Sequence, residues 1–110
     1  MNDKRSALTK IHLSEKLIEQ IIEKITAAAV VEKIVIFGSS VRADGRKTSD
    51  IDIALFGVTD EKAFLLKEKL NEELDTLRDV DIVLFDGLKN AGLKERILKE
   101  GVVIYEKCAE

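Results

Sequence analysis

Lys33-Ile34-Val35-Ile36-Phe37-Gly38-Ser39, followed after a polar stretch by Ser49-Asp50-Ile51-Asp52-Ile53-Ala54-Leu55-Phe56-Gly57, decides the fold of this chain. The first segment is an apolar run of strand length that stops at a glycine, which reads as a buried strand. The second alternates. Ile51, Ile53 and Leu55 point one way, and Asp50, Asp52, Ala54 and Phe56 point the other. The link between them holds one or two helical turns over 39–43, an Asp44-Gly45 turn and a polar loop over 46–49. So short a link suits antiparallel neighbours, and the two strands are expected to pair that way. Gly38 at the end of one then lies beside Asp50 at the start of the other.

Outward from this pair the apolar periodicity switches to that of helices. Leu17, Ile18, Ile21, Ile22 and Ile25 form one stripe, with Ser14 placed to cap the helix and Glu15 in its first turn. Residues 1–12 are polar and mixed and are expected to be frayed. Beyond Gly57 a helix opens at Thr59 or Asp60, with Ala63, Leu66, Leu70, Leu74 and Leu77 toward the core. A third strand runs from Val80 to about Phe85, and Asn90 caps a last helix with Leu93, Ile97 and Leu98 inward. Gly101 ends that helix, and Val102 to Tyr105 is the closing strand. Tyr105 and the phenylalanines read as core or edge residues. The order is α/β: a small mixed sheet of about four strands with helices packed on it, with residues 1–110 as one domain. The helix between strands two and three suits a parallel crossover. Both strands then start at the same edge, with Asp81 level with Asp50 and Asp52.

Composition excludes several classes. A net charge of −3 offers no general attraction to nucleic acid, and no aromatic ladder is present for stacking bases. No apolar run approaches the roughly 18 residues of a membrane span. Met1-Asn2-Asp3-Lys4-Arg5 does not lead into a secretory signal, so a cytoplasmic location is expected. Cys108 is the single cysteine and cannot form an internal disulfide. His12 lies outside any apparent site and reads as a surface residue.

The chemistry lies in the aspartates and the glycine turn. Residues two apart on a strand share a face, with α-carbons roughly 6.5 Å apart. Asp50 and Asp52 beside Asp81 would repel one another if left bare, and a divalent cation removes that conflict. An all-oxygen set with room for phosphate oxygens favours Mg²⁺ over zinc, and two ions could serve both the attacking oxygen and the leaving pyrophosphate. Taken alone, Asp-x-Asp is as consistent with a strand start and a solvated edge charge; the aspartates gain meaning from the glycine turn beside them. At Gly38-Ser39, backbone amides can reach a phosphate with no side chain in the way. Arg42, one helical turn on, can direct its guanidinium at a triphosphate, while Arg46 and Lys47 read more simply as a solvated loop. Ser49 orders the Asp50 backbone. Asp79 shares the face of Asp81, and spacing alone leaves both open as third carboxylate; Asp81 is preferred because it sits inside its strand.

Phe37-Gly38-Ser39-Ser40-Val41-Arg42, Ser49-Asp50-Ile51-Asp52-Ile53 and Val80-Asp81-Ile82-Val83 together resemble the minimal nucleotidyltransferase family of the DNA polymerase beta-like superfamily. The ending from Leu93 to Glu106 also looks like the tail common in that family, so the resemblance spans roughly residues 14–106. It implies that Gly38 and Ser39 hold the nucleotide phosphates, that Asp50 and Asp52 carry the metals, and that Asp81 completes the metal site and steers the proton of an attacking hydroxyl. The implied reaction is attack on the α-phosphate of a nucleoside triphosphate, with ATP as donor. The implied partner is a helical HEPN-type toxin, neutralised by adenylylation of a tyrosine. No second, cleft-closing domain is apparent, so the substrate side is expected from that partner or a second copy, in a hetero- or homo-oligomer. Two alternatives stand beside this: a binding module that neutralises its partner by contact, and a nucleotidyltransferase acting on a small molecule or an RNA end.

Overall fold

The computed structural model describes residues 13–38, 50–74, 76 and 79–107. The expected short helix over 39–43, together with Ser39, Arg42, Arg46, Lys47, Ser49, His12, Leu77 and Cys108, lies outside these residues. In chain order the elements are α1 (Glu15–Ala28), β1 (Lys33–Phe37), β2 (Ile51–Phe56), α2 (Asp60–Glu73), β3 (Val80–Leu84), a 3₁₀ turn (Phe85–Gly87), α3 (Ala91–Glu100) and β4 (Val102–Glu106).

α1 and α3 begin where the sequence supplies a side-chain partner for a first-turn amide. The Ser14 hydroxyl accepts from the Leu17 amide at 3.1 Å, and the Asn90 side chain accepts from Leu93 at 3.1 Å. Thr59 starts α2 without a side-chain cap, and Asp60 and Glu61 in its first turn supply negative charge to the helix dipole instead.

The described strands form one sheet in the order β3-β2-β1-β4. β1 and β2 are antiparallel, with Phe37 opposite Asp52, and β2 and β3 are parallel, with Asp52 opposite Asp81. β4 joins the far side of β1 antiparallel, with a register shift between Ile34 and Val35, where β4 carries one extra residue. The pleat sends alternate side chains to two apolar layers. Ile34, Ile36, Ile51, Ile53, Leu55 and Val80 meet α1 and α2 on one face. On the other, Val35, Phe37 and Ala54 meet Ile97 of α3, with Val83, Leu88 and Leu93 packed around them. No helix among the described residues is long and apolar enough to cross a membrane.

Three expectations are corrected. Leu98 is 66% exposed, because α3 lays a single stripe, Leu93 and Ile97, on the sheet and Leu98 falls a further 100° round the helix. β3 stops at Leu84, and Phe85 instead opens the 3₁₀ turn, with its ring stacked on Phe56 at 4.3 Å. Phe64 is 64% exposed on α2, one residue past the Ala63–Leu66–Leu70 stripe, and so belongs to neither core nor sheet edge. Gly101 ends α3 by close approach, not by a left-handed turn. Its φ is −69°, and a Cβ there would overlap the Ile97 carbonyl and the Val35 side chain.

Candidate active site

The site is built where β1 ends and β2 and β3 begin. Gly38 follows β1 with φ +77°, a conformation that costs any residue bearing a Cβ. The Phe37–Asp52 register pair explains a second requirement. The Asp52 carboxylate lies so close to Gly38 that a Cβ at position 38 would overlap its Oδ2. Only glycine satisfies both conditions.

Asp52 and Asp81 are opposite one another on neighbouring parallel strands, so they project from the same face with α-carbons about 4.8 Å apart. That face is the one covered by α3. The apolar layer beneath α3 gives way to these two carboxylates at the sheet end, where Asp52 is half-buried and Asp81 exposed. Asp50 precedes β2 and is exposed. Asp79 stands one step before β3 at the mouth, where its backbone carbonyl accepts from the Ile51 amide at 2.8 Å. Of the two aspartates left open as third carboxylate, Asp81 is therefore the one level with Asp52. The structure sets Gly38 against Asp52 and Asp52 opposite Asp81, with Asp50 exposed one residue before β2; Ser39, Arg42 and Ser49 lie outside the described residues.

In type the aspartates suit an oxygen-coordinated divalent cation, since Asp52 and Asp81 offer carboxylate oxygens from one face beside the glycine turn. Among the described residues, no three His, Cys, Asp or Glu side chains are gathered tightly enough to hold an ion as they stand. One counter-charge is present at Asp81, where Lys67 Nζ of α2 lies 3.4 Å from Oδ1.

Lys67 and Asn71 were not singled out from sequence. The Asn71 amide reads the start of β3 like a neighbouring strand. Its Oδ1 accepts from the Val80 amide at 2.7 Å, and its Nδ2 donates to the Val80 carbonyl at 3.2 Å and to the Lys67 carbonyl at 2.9 Å. The i,i+4 spacing of two polar residues on α2 was visible in sequence, but not which strand edge that side of the helix would meet.

A family model described as polymerase beta, nucleotidyltransferase, matches residues 19–110. No protein of curated function matches the chain in sequence. Among solved structures, a toxin–antitoxin complex with AMP-PNP contains a chain 24% identical, with a TM-score of 0.71 over 82% of this chain and 73% of that one. A Shewanella oneidensis complex of an MNT antitoxin with a tri-AMPylated HEPN toxin matches at 22% identity and a TM-score of 0.68, covering 86% of this chain and 74% of that one. A Sulfolobus solfataricus protein assigned as a nucleotidyltransferase matches at 23% identity and a TM-score of 0.54, over 97% and 90% of the two chains. At these identities the likeness is one of fold.

Proposed function

The chain belongs to the polymerase beta nucleotidyltransferase family, and from that premise we propose that it transfers AMP from ATP to a tyrosine hydroxyl of a helical HEPN-type partner, acting as that partner's antitoxin. The observation that carries the reading is the pairing of Asp52 with Asp81 across β2 and β3, beside the glycine turn that closes β1. The similar folds in a solved toxin–antitoxin complex with AMP-PNP and in a complex of an MNT antitoxin with a tri-AMPylated HEPN toxin support the choice of donor and acceptor.

Asp50, Asp52 and Asp81 would hold Mg²⁺, as two ions, and when bound these supply charge that offsets the phosphates and steadies the leaving pyrophosphate. Gly38 keeps the approach beside Asp52 clear for a phosphate, and Ser39, Arg42 and Ser49 are assigned to the triphosphate. The acceptor oxygen attacks the α-phosphorus, the bond from that phosphorus to the pyrophosphate oxygen breaks, and its electron pair leaves with pyrophosphate. The hydroxyl proton passes to Asp81. Exposure favours this division of labour, since an oxygen carried by a macromolecule reaches the exposed Asp81 more readily than the half-buried Asp52.

The test is transfer from ATP labelled at its α-phosphate, with Mg²⁺ and a HEPN-type partner. Label is expected on the partner's tyrosine. Asp52→Asn should lower transfer by about a hundredfold or more while leaving the far-ultraviolet circular dichroism unchanged. An unlabelled partner with the wild-type protein overturns the reading.

A further inference from the structure

The contact between α2 and the third carboxylate reaches across the edge of the sheet. α2 packs its apolar stripe on the face opposite Asp81, yet Lys67 extends past β3, the edge strand, to place Nζ 3.4 Å from Asp81 Oδ1. Its reach is set by the clamp one turn further along. Asn71 holds both backbone groups of Val80, at 2.7 and 3.2 Å, and bonds the Lys67 carbonyl at 2.9 Å. The backbone of Lys67 is therefore tied to the residue next to Asp81, and the ammonium is held near that carboxylate by more than its own flexible stem.

We propose that Lys67 is a positioning residue for the site: an internal counter-cation that orients Asp81 at the sheet edge and that a divalent ion must displace to engage that carboxylate. The inference rests on the cation-binding reading of Asp50, Asp52 and Asp81 given above. Its physical content is competition. Lys67 offsets one of the negative charges in the cluster, which lowers the attraction of the cluster for a free cation and favours loading when a nucleotide brings further negative charge. The side chains of the pair are 50% and 56% exposed, so the coupling is screened and modest.

The experiment titrates Mn²⁺ into the full chain without nucleotide and reads free ion by electron paramagnetic resonance, for wild type, Lys67→Met and Lys67→Arg. Lys67→Met should bind Mn²⁺ roughly two- to fivefold more tightly, the range expected for removing one screened charge. Lys67→Arg should match wild type, because the charge is kept. The gap between wild type and Lys67→Met should close as NaCl is raised toward 1 M, where the screening length falls to about 3 Å. A merely structural lysine would give no salt-dependent gap and no rescue by arginine. Equal or weaker Mn²⁺ binding by Lys67→Met, with wild-type binding intact, overturns the role of Lys67 and leaves the proposed function standing. Absence of Mn²⁺ binding in all three proteins overturns the cation site and this inference with it.

Discussion

Gly38 is the residue at which backbone geometry and chemistry meet. Its positive φ costs an alanine about 1 kcal/mol, and the added Cβ must also displace the Asp52 carboxylate. The obstructing atom is the end of a short side chain, which can turn aside. The two consequences therefore separate. Gly38→Ala is expected to lower stability by only about 1–2 kcal/mol in denaturant unfolding, yet to lose most nucleotidyl transfer, because Asp52 moves out of line with Asp81. Full transfer by a folded Gly38→Ala protein would show that Asp52 does its work from another position. The placement of Asp52 level with Asp81 was legible in sequence, because a strand's period of two assigns faces without knowledge of the rest of the fold. Lys67 was not, since a lysine on an exposed helix face has no sequence feature that sets it apart from its neighbours.

At the scale of elements, β3 is the weak point. It is a parallel strand at the sheet edge, and its first residue pairs with β2 on one side and with the Asn71 amide on the other. Asn71→Ala leaves the Val80 amide and carbonyl without those partners in a part-buried position, at an expected cost of about 1–2 kcal/mol. Hydrogen exchange checks this directly. The Val80 amide should lose protection in Asn71→Ala, while the Ile36 amide in β1 keeps its own apart from the global change. The strands themselves were readable before the structure. β1 runs over the expected residues, and the strands pair as the link lengths suggested, β1 with β2 antiparallel across a short link and β2 with β3 parallel across a helix. Strand ends were less readable, as Phe85 shows: its apolar side chain continues the pattern of β3 while its backbone has already turned to stack the ring on Phe56.

Over the whole molecule, α1 and α2 lie on one face of the sheet and α3 on the other, the face that carries Asp52 and Asp81. α1 and α2 are joined at their rims by Lys24 Nζ and Glu73 Oε1, 2.9 Å apart. The hydrogen bond from Lys24 holds the Glu73 carboxyl below its ordinary value. A lowered folded value favours the native state above the unfolded midpoint, and that contribution fades as pH falls through the folded one. Carbon-detected titration should therefore find Glu73 ionising below a free glutamate, and Lys24→Met should return it to the ordinary range. An unchanged midpoint in Lys24→Met would show that the bridge is not formed in solution.

Sequence alone determined where the described strands and the three long helices lie, that β1 pairs antiparallel with β2 and β2 parallel with β3, and that Asp52 and Asp81 share one face. These are short-range properties, carried by side-chain period, caps and the length of each link. Only the tertiary structure decided that β4 pairs beside β1 through a bulge, that Leu98 faces outward, and that Lys67 and Asn71 lie along the edge of β3. Each of those depends on which surfaces meet. That choice is made by competition among distant apolar faces for the same buried area, and it leaves no periodic mark in the local sequence.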